Sequence, residues 1–299
     1  MIGFNGGLIG GLATDRDTST APSLPGVWTL PEQRNAKLAL QWPVAGLKLL
    51  DAYPGASAAY SLRLLTTAYT DNLVTVRRSS DDETQGFTEL QITGSGAGSL
   101  ANFCSGTDGF VTTWHDQSGN GNDATQATPG DQPKIFDSVT GVSTVNSKPC
   151  IRWDDTGNDN LDMTTRLTGI VSVFELLTIE HDITTGNTSF LLGDSTNYDY
   201  HVGSGTWLSS ADAATAVVNG SNRLNNVLTN LTTTDRTGDQ TLISMIHSGT
   251  AAVSQLTKDR TIAGRSLKGA MQELILYSSS QSANVAGINA DINLHYSIY

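Results

Sequence analysis

Short β-prone runs separated by turn residues constrain the fold of this chain more than any other feature of its sequence. Clusters of Gly, Asn, Asp or Pro separate the runs, and Gly alone supplies 30 of 299 residues. Such residues bend the chain or hydrogen-bond to their own backbone. The predicted strands are 58–64, 73–78, 110–115, 170–179, 190–192, 226–231, 241–247, 261–263 and 270–277. Many short strands with turn signals predict an all-β sandwich or barrel.

The first 44 residues predict an anchoring segment without a core of its own. In residues 1–28, glycines alternate with apolar side chains, and burying a large one contributes ~1.5–3 kcal/mol. We therefore expect an extended arm that docks onto a neighbouring subunit, a frayed terminus being the alternative. A short helix follows, because Thr29 and Glu32 have capping-box spacing and Pro43 would end it. The residues expected to make the assembly contacts are Ile2, Phe4, Leu8, Ile9, Trp28 and Trp42.

The last element of the chain has helical periodicity. Ser282 is a candidate N-cap. The apolar stripe after it consists of Val285, Ile288, Ile292 and Tyr296. The sequence therefore predicts an arm at 1–44 and one all-β domain, a sandwich or a barrel, at 45–299, closed by a C-terminal helix.

The charge and the cysteine content limit the possible binding partners and the expected cellular compartment. With 17 basic and 29 acidic side chains, the net charge is −12. An acidic surface repels phosphate and anionic lipid, so neither a nucleic acid nor a membrane is an expected partner. The start of the chain lacks the basic region of a signal peptide. Cys104 and Cys150 are expected to be buried free thiols from a reducing cytoplasm, with a single disulfide as the alternative.

The most specific segment is 113–126, which reads Thr-Trp-His-Asp-Gln-Ser-Gly-Asn-Gly-Asn-Asp-Ala-Thr-Gln. It resembles the signature of the catalytic domain of fungal-type α-L-arabinofuranosidase B, whose fold is a concanavalin-like β-sandwich. Further segments that resemble this family are 59–63, 76–82, 148–154 and 271–277. The resemblance implies a concanavalin-like jelly-roll sandwich over residues 50–299.

The sandwich also resembles one that is widespread in virion proteins of tailed bacteriophages. There it follows a short segment similar to residues 25–43, which the fungal enzymes lack. This favours a non-enzymatic virion structural protein, either a capsid decoration, a head fibre or a tail-fibre component. The expected location is the virion, the expected partners are other virion proteins, and a homo-oligomer such as a trimer is expected. A host surface glycan is a further candidate partner. An arabinofuranosidase-type glycoside hydrolase and a carbohydrate-binding adhesin are the alternatives.

The carboxylates that the enzyme resemblance implies are missing from the matching positions. In that family a Glu nucleophile follows a strand similar to 203–207, and an Asp acid/base lies in a turn similar to 264–269. Here no Glu occurs in 208–214, and 264–269 contains no acid. Asp212 and Asp259 are the displaced alternatives for the two carboxylates of a retaining glycosidase. On this ground the sequence favours a non-catalytic protein.

A turn and an aromatic group complete the candidate residues. The turn residues are Asp116, Ser118, Gly119, Asn120 and Gly121. Their alternating oxygens resemble half of a calcium loop, but the twelfth position is Ala127 instead of Glu. We therefore expect a structural turn and no metal or cofactor, with calcium as the alternative. The aromatic residues Trp207, Tyr198 and Tyr200 predict a patch that stacks on a sugar, and a buried Trp207 is the alternative.

Overall fold

The computed structural model describes residues 47–153, 158–180, 191–258, 260 and 262–299. The predicted arm and short helix lie outside the described residues, and with them all six assembly residues. These are Ile2, Phe4, Leu8, Ile9, Trp28 and Trp42. None of the helices within the described ranges is long and apolar enough to cross a membrane.

Antiparallel strands dominate the described part of the chain. In order they are β1 (Ala58–Ser61), β2 (Val74–Arg78), β3 (Thr84–Phe87), β4 (Gly109–Trp114), β5 (Ala124–Thr125), β6 (Lys134–Asp137), β7 (Gly141–Val142), β8 (Thr144–Val145), β9 (Lys148–Pro149), β10 (Ile151–Trp153), β11 (Leu161–Ile179), β12 (Leu192–Gly193), β13 (Ser221–Leu224), β14 (Val227–Leu228), β15 (Thr241–Leu256) and β16 (Gly269–Tyr277). Strands β11, β15 and β16 have 19, 16 and 9 residues, and the others are short. The turns between the short strands follow from the high Gly, Asn, Asp and Thr content.

Short helices occupy the connections, and one longer helix ends the chain. They are α1 (Leu49–Ala52), α2 (Glu89–Thr93), α3 (Leu100–Phe103), α4 (Thr215–Val218) and α5 (Val285–Tyr296), with a 3-10 turn at Pro129–Asp131. Helix α2 begins with a capping box in which Thr88 and Gln91 hydrogen-bond to each other's backbone.

Strand β11 joins the two halves of the sandwich. Its first half pairs with β5, where Asp162 lies opposite Thr125. Its second half lies between β15 and β16, so that Val173 faces Met245 on one side and Leu276 on the other. Strands β10, β6 and β4 continue from β16 and return to β5. The prediction of an all-β sandwich is confirmed.

Side chains on β11 alternate between two cores. Val173 and Leu177 belong to the larger core inside the sandwich, whereas Phe174 and Leu176 belong to a smaller core under helix α5. This alternation is the two-residue period of a strand that is buried on both faces. The predicted stripe of α5 lies in the smaller core and comprises Val285, Ile288, Ile292 and Tyr296. The N-cap is Asn284, which corrects the prediction of Ser282.

Two predicted strands differ from the structure. Asn225 and Asn226 both have positive φ, +49° and +65°, between β13 and β14. Two such residues form the tight turn of a β-hairpin. The predicted run 226–231 therefore contains only the short strand β14. The described residues of 261–263 form no strand.

Both cysteines are buried free thiols, as predicted. Burial raises the pKa of Cys104 to about 11 and that of Cys150 to about 12, although nearby arginines act in the opposite direction. Neither thiol is therefore ionised at neutral pH.

Candidate carbohydrate site

The turn after β4 is organised by one buried carboxylate. Asp116 Oδ1 accepts hydrogen bonds from the backbone N–H groups of Ala59 at 2.8 Å and Ser118 at 2.9 Å. Its Oδ2 accepts from the Ser118 hydroxyl at 2.7 Å and from the backbone N–H of Asn122 at 3.0 Å. Asp116 is 4% exposed, so these four donors compensate the charge that burial takes out of water.

The remaining turn residues close the same structure. Gly119 and Gly121 have φ of +87° and +68°, which only glycine adopts readily. The Asn120 side chain donates to the carbonyl oxygens of Ala56 at 2.9 Å and Ser57 at 3.2 Å. The turn therefore fixes the segment before β1 to the end of β4.

His115 extends this network towards the neighbouring strand. Its Nδ1 lies 2.9 Å from Asp123 Oδ2, and its Nε2 lies 2.8 Å from Thr75 Oγ1 on β2. Burial raises the pKa of Asp123, but the hydrogen bonds from His115 and from the backbone N–H of Asp116 outweigh it. The net pKa of Asp123 is therefore below its usual value.

No group of three His, Cys, Asp or Glu side chains that could hold a metal ion occurs in the described ranges. Both Asp116 oxygens are engaged by backbone or hydroxyl donors. The geometry of the turn is that of a hydrogen-bonded loop.

The predicted aromatic patch is divided between the core and the surface. Trp207 is 1% exposed and Tyr200 is 2% exposed, whereas Tyr198 is 47% exposed. Trp207 and Tyr200 pack in the larger core, which does not leave their ring faces open to a sugar. This corrects the prediction that all three residues form one stacking surface. Tyr198 is the member that a ligand can reach.

Tyr198 lies between two basic side chains. The Arg260 guanidinium lies 4.9 Å from the centroid of the Tyr198 ring, and the His201 ring approaches edge-on at 6.1 Å. Such contacts hold the ring in place while leaving almost half of it exposed. Tyr198 therefore presents an oriented aromatic surface to the solvent.

Asp212 lies on a segment paired with the one that carries Tyr198. The backbone N–H of Ser209 donates to the carbonyl of His201 at 2.7 Å, and Ala214 donates to Asp199 at 3.0 Å. The Ser209 hydroxyl donates to Asp212 Oδ2 at 2.7 Å. Asp212 is exposed, so its carboxylate is oriented by Ser209 and open to the solvent. Asp259, the other displaced carboxylate, lies outside the described residues.

A second acidic residue near this segment has a structural partner. Asp194 is 1% exposed and pairs with Arg166 at 2.8 Å. Burial raises the pKa of Asp194, but the hydrogen bonds from Arg166 and from the backbone N–H of Asn197 lower it to about 2. Asp194 is therefore ionised at neutral pH, and its hydrogen bonds stabilise the loop before Tyr198.

The larger core contains a carboxyl group that was not predicted. Glu175 lies on β11 between Ile243 and Leu274 and is fully buried. Neither of its carboxyl oxygens has a hydrogen-bond partner among the described residues. Burial raises its pKa to about 8, so the group is protonated at neutral pH. A single Glu inside the apolar run 170–179 was the available signal.

The fold is an all-β sandwich closed by a helix, and about a third of the chain matches a known family. Residues 51–148 match the model of a family described as alpha-L-arabinofuranosidase B, catalytic. These residues contain the turn built on Asp116. They therefore carry the sequence pattern of that catalytic domain.

Curated proteins of the same family description match a stretch of similar length. Alpha-L-arabinofuranosidase of Hypocrea jecorina is 40% identical over 77 residues, which are 26% of this chain and 15% of that protein. Probable alpha-L-arabinofuranosidase B of Aspergillus terreus is 41% identical over 78 residues, with the same coverage of both chains. The chain thus matches a small part of the length of these relatives.

A solved structure has a similar fold over a longer range. It is a mutant of an α-L-arabinofuranosidase of glycoside hydrolase family 54 soaked with 4-nitrophenyl α-L-arabinofuranoside. The structural match covers 82% of this chain and 64% of the chain of the solved enzyme, with 15% sequence identity and a TM-score of 0.51. At this identity the likeness concerns the fold.

These comparisons correct the predicted biological setting. The matching relatives are fungal arabinofuranosidases, and no virion protein appears among the matches described above. The prediction of a phage virion structural protein is wrong, and so are the virion location and the virion partners derived from it. The predicted non-catalytic character is not confirmed either, because the matching family is a family of enzymes.

Proposed function

We propose that this chain is a glycoside hydrolase domain that acts on α-L-arabinofuranosides. The observation that carries the proposal is the match of residues 51–148 to the arabinofuranosidase B catalytic family. The sandwich fold supports it, since a solved arabinofuranosidase has a similar fold. The matched residues build the scaffold, and the candidate reacting groups lie later in the chain.

Asp212 is the proposed reacting carboxylate. In a retaining glycosidase one carboxylate attacks the anomeric carbon while a second carboxyl group protonates the leaving oxygen. Water then releases the sugar, and the second group accepts the proton of that water. The Ser209 hydroxyl, 2.7 Å from Asp212 Oδ2, orients the carboxylate and leaves Oδ1 for the attack. Asp259 is the proposed second carboxylate.

Tyr198 is the proposed binding surface for the sugar. The segment of Tyr198 is hydrogen-bonded to the segment of Asp212 through Asp199 and Ala214. Aromatic rings bind the apolar face of a sugar, and their rigid side chains lose little conformational freedom on binding. We therefore assign Tyr198 to substrate binding and Asp212 to the reaction.

Hydrolysis of 4-nitrophenyl α-L-arabinofuranoside tests the proposal. The full chain is expected to release nitrophenol, and Asp212→Asn is expected to lower kcat by at least a hundredfold. Asp239→Asn, a change at another exposed aspartate, is the matched control and should retain full activity. Tyr198→Ala should raise KM more than it lowers kcat.

The outcomes separate the proposal from its alternatives. Nitrophenol release equal to that of heat-unfolded protein would overturn the hydrolase proposal. Equal activity of the wild type and Asp212→Asn would move the reaction to other carboxylates. A 4-nitrophenyl β-D-xylopyranoside, assayed in parallel, is expected to be a poorer substrate.

A further inference from the structure

A groove at the edge of the sandwich is lined by amides and hydroxyls. It has a volume of about 440 Å³ and lies beside the end of α4, strand β13 and the segment after β14. This volume falls within the range of small-ligand sites, roughly 300–1,000 Å³. The lining residues that bear on its chemistry are Asn219, Asn222, Leu228, Thr229, Asn230 and Thr232.

Hydrogen bonds within the lining fix the direction of its polar groups. Asn230 Oδ1 accepts from the backbone N–H of Thr232 at 3.0 Å and from the Thr232 hydroxyl at 2.8 Å. The Thr229 hydroxyl donates to the Val227 carbonyl at 2.8 Å. Each hydroxyl has thereby used its proton and keeps lone pairs for a donor, and the Asn230 amide keeps its N–H groups.

Asn222 contributes a buried acceptor to the same lining. It is 3% exposed, and its Nδ2 donates to the Val217 carbonyl at 2.9 Å, which sets the orientation of the amide. Its Oδ1 has no partner among the residues that the structure describes. A buried acceptor without a hydrogen-bond partner is destabilising.

The lining chemistry selects the class of ligand. None of the residues named for the groove carries a charge, so neither an anion nor a cation finds a counter-charge there. Leu228 is 67% exposed and adds an apolar surface beside the amides. Fixed donors, fixed acceptors and a small apolar area together match a neutral polyhydroxylated molecule.

We propose that this groove binds a neutral oligosaccharide. The groove is built from α4, β13 and the segment 228–232. The proposed reacting group Asp212 and the proposed sugar-binding residue Tyr198 belong to the segment 198–214. The groove holds a glycan and takes no part in bond cleavage. The proposal goes beyond the hydrolase function and does not depend on it.

Calorimetric titration of the full chain with neutral oligosaccharides tests the groove. The probes are arabinohexaose, xylohexaose and maltohexaose. At least one is expected to bind the wild type, and Thr232→Val and Asn219→Ala are each expected to weaken that binding by fivefold or more. Thr233→Val changes the adjacent exposed threonine, which is outside the lining, and should leave the affinity unchanged. Thr232→Ser should retain the affinity if the hydroxyl is the contact.

Each result supports or overturns the proposal that the groove binds an oligosaccharide. Binding by Tyr198→Ala at wild-type affinity, with weakened binding in Thr232→Val, would support a separate site, whatever the outcome of the hydrolysis assay. Loss of binding in Tyr198→Ala with retention in Thr232→Val would overturn the proposed groove and place the sugar at Tyr198. Absence of binding by all three oligosaccharides, with the thermal transition intact, would also overturn it.

Discussion

Asp116 accepts a 2.8 Å hydrogen bond from the backbone N–H of Ala59, which lies 57 positions earlier in the chain. The contact ties the turn after β4 to strand β1, which is the neighbour of β16. One carboxylate therefore connects the turn after β4 to β1, the strand at the end of the sheet order.

Replacing this carboxylate tests its structural role. Asp116→Ala removes acceptors for four donors, of which the backbone N–H groups of Ala59 and Asn122 are buried. We expect a loss of about 2–4 kcal/mol in the free energy of unfolding, measured by urea denaturation. Asp71→Ala, at an exposed aspartate, should change it by less than about 0.5 kcal/mol. A similar loss in both variants would contradict the role of Asp116.

Calcium provides a separate test of the same turn. If hydrogen bonds alone satisfy Asp116, the thermal midpoint of the wild type is the same in EGTA and in millimolar calcium. A rise of several degrees on adding calcium, absent in Asp116→Ala, would identify a bound ion and contradict that account.

The buried Glu175 predicts a pH dependence of stability. Its pKa is about 8 in the folded state, whereas an unperturbed Glu has a pKa near 4.3. The folded state therefore holds a proton that the unfolded state releases between these values. The stability that this group gives is fully present below pH 4.3 and is lost as the pH rises towards 8.

Glu175→Gln is the matched variant, because an amide is neutral at every pH and has nearly the same shape. Urea denaturation from pH 5 to pH 9 should show a falling free energy of unfolding in the wild type and a flatter profile in the variant. Parallel profiles would mean that Glu175 does not titrate in this range.

The packing of helix α5 predicts that substitutions at two of its positions change the free energy of unfolding by different amounts. Ile288 is fully buried against the sheet, whereas Leu294 is 72% exposed. Ile288→Ala should lower the free energy of unfolding by about 2–5 kcal/mol, because it leaves a cavity. Leu294→Ala should change it by less than about 0.5 kcal/mol. Comparable effects in both variants would contradict the packing of α5 on the sandwich.

The periodic parts of the chain were predictable from sequence. The stripe that begins at Val285 repeats with helical spacing, and the apolar run of β11 is long enough to indicate a buried strand. The short helices α1 to α4 were not predicted, because four or five residues give too little periodicity. The hairpin turn at Asn225 and Asn226 was missed because the β-prone run was extended into it.

The candidate site was less predictable than the fold. The sequence shows that Trp207 is a large aromatic residue, but it does not show whether the side chain is buried in the core. Only the tertiary packing buries Trp207 and leaves Tyr198 at the surface. In the sequence Glu175 is one residue of an apolar strand. Its burial, with no hydrogen-bond partner among the described residues, depends on the two neighbouring strands β15 and β16.

Covalent labelling of the full chain tests the central claim most directly. A retaining arabinofuranosidase forms a glycosyl ester on its nucleophile, so an arabinofuranosyl compound that reacts once and leaves slowly marks that residue. Peptide mass spectrometry should find one arabinosyl unit on Asp212 in the wild type and none in Asp212→Asn. A label on another carboxylate, or the same label in both proteins, would contradict the assignment of Asp212, and an unlabelled, inactive wild type would contradict hydrolase function itself.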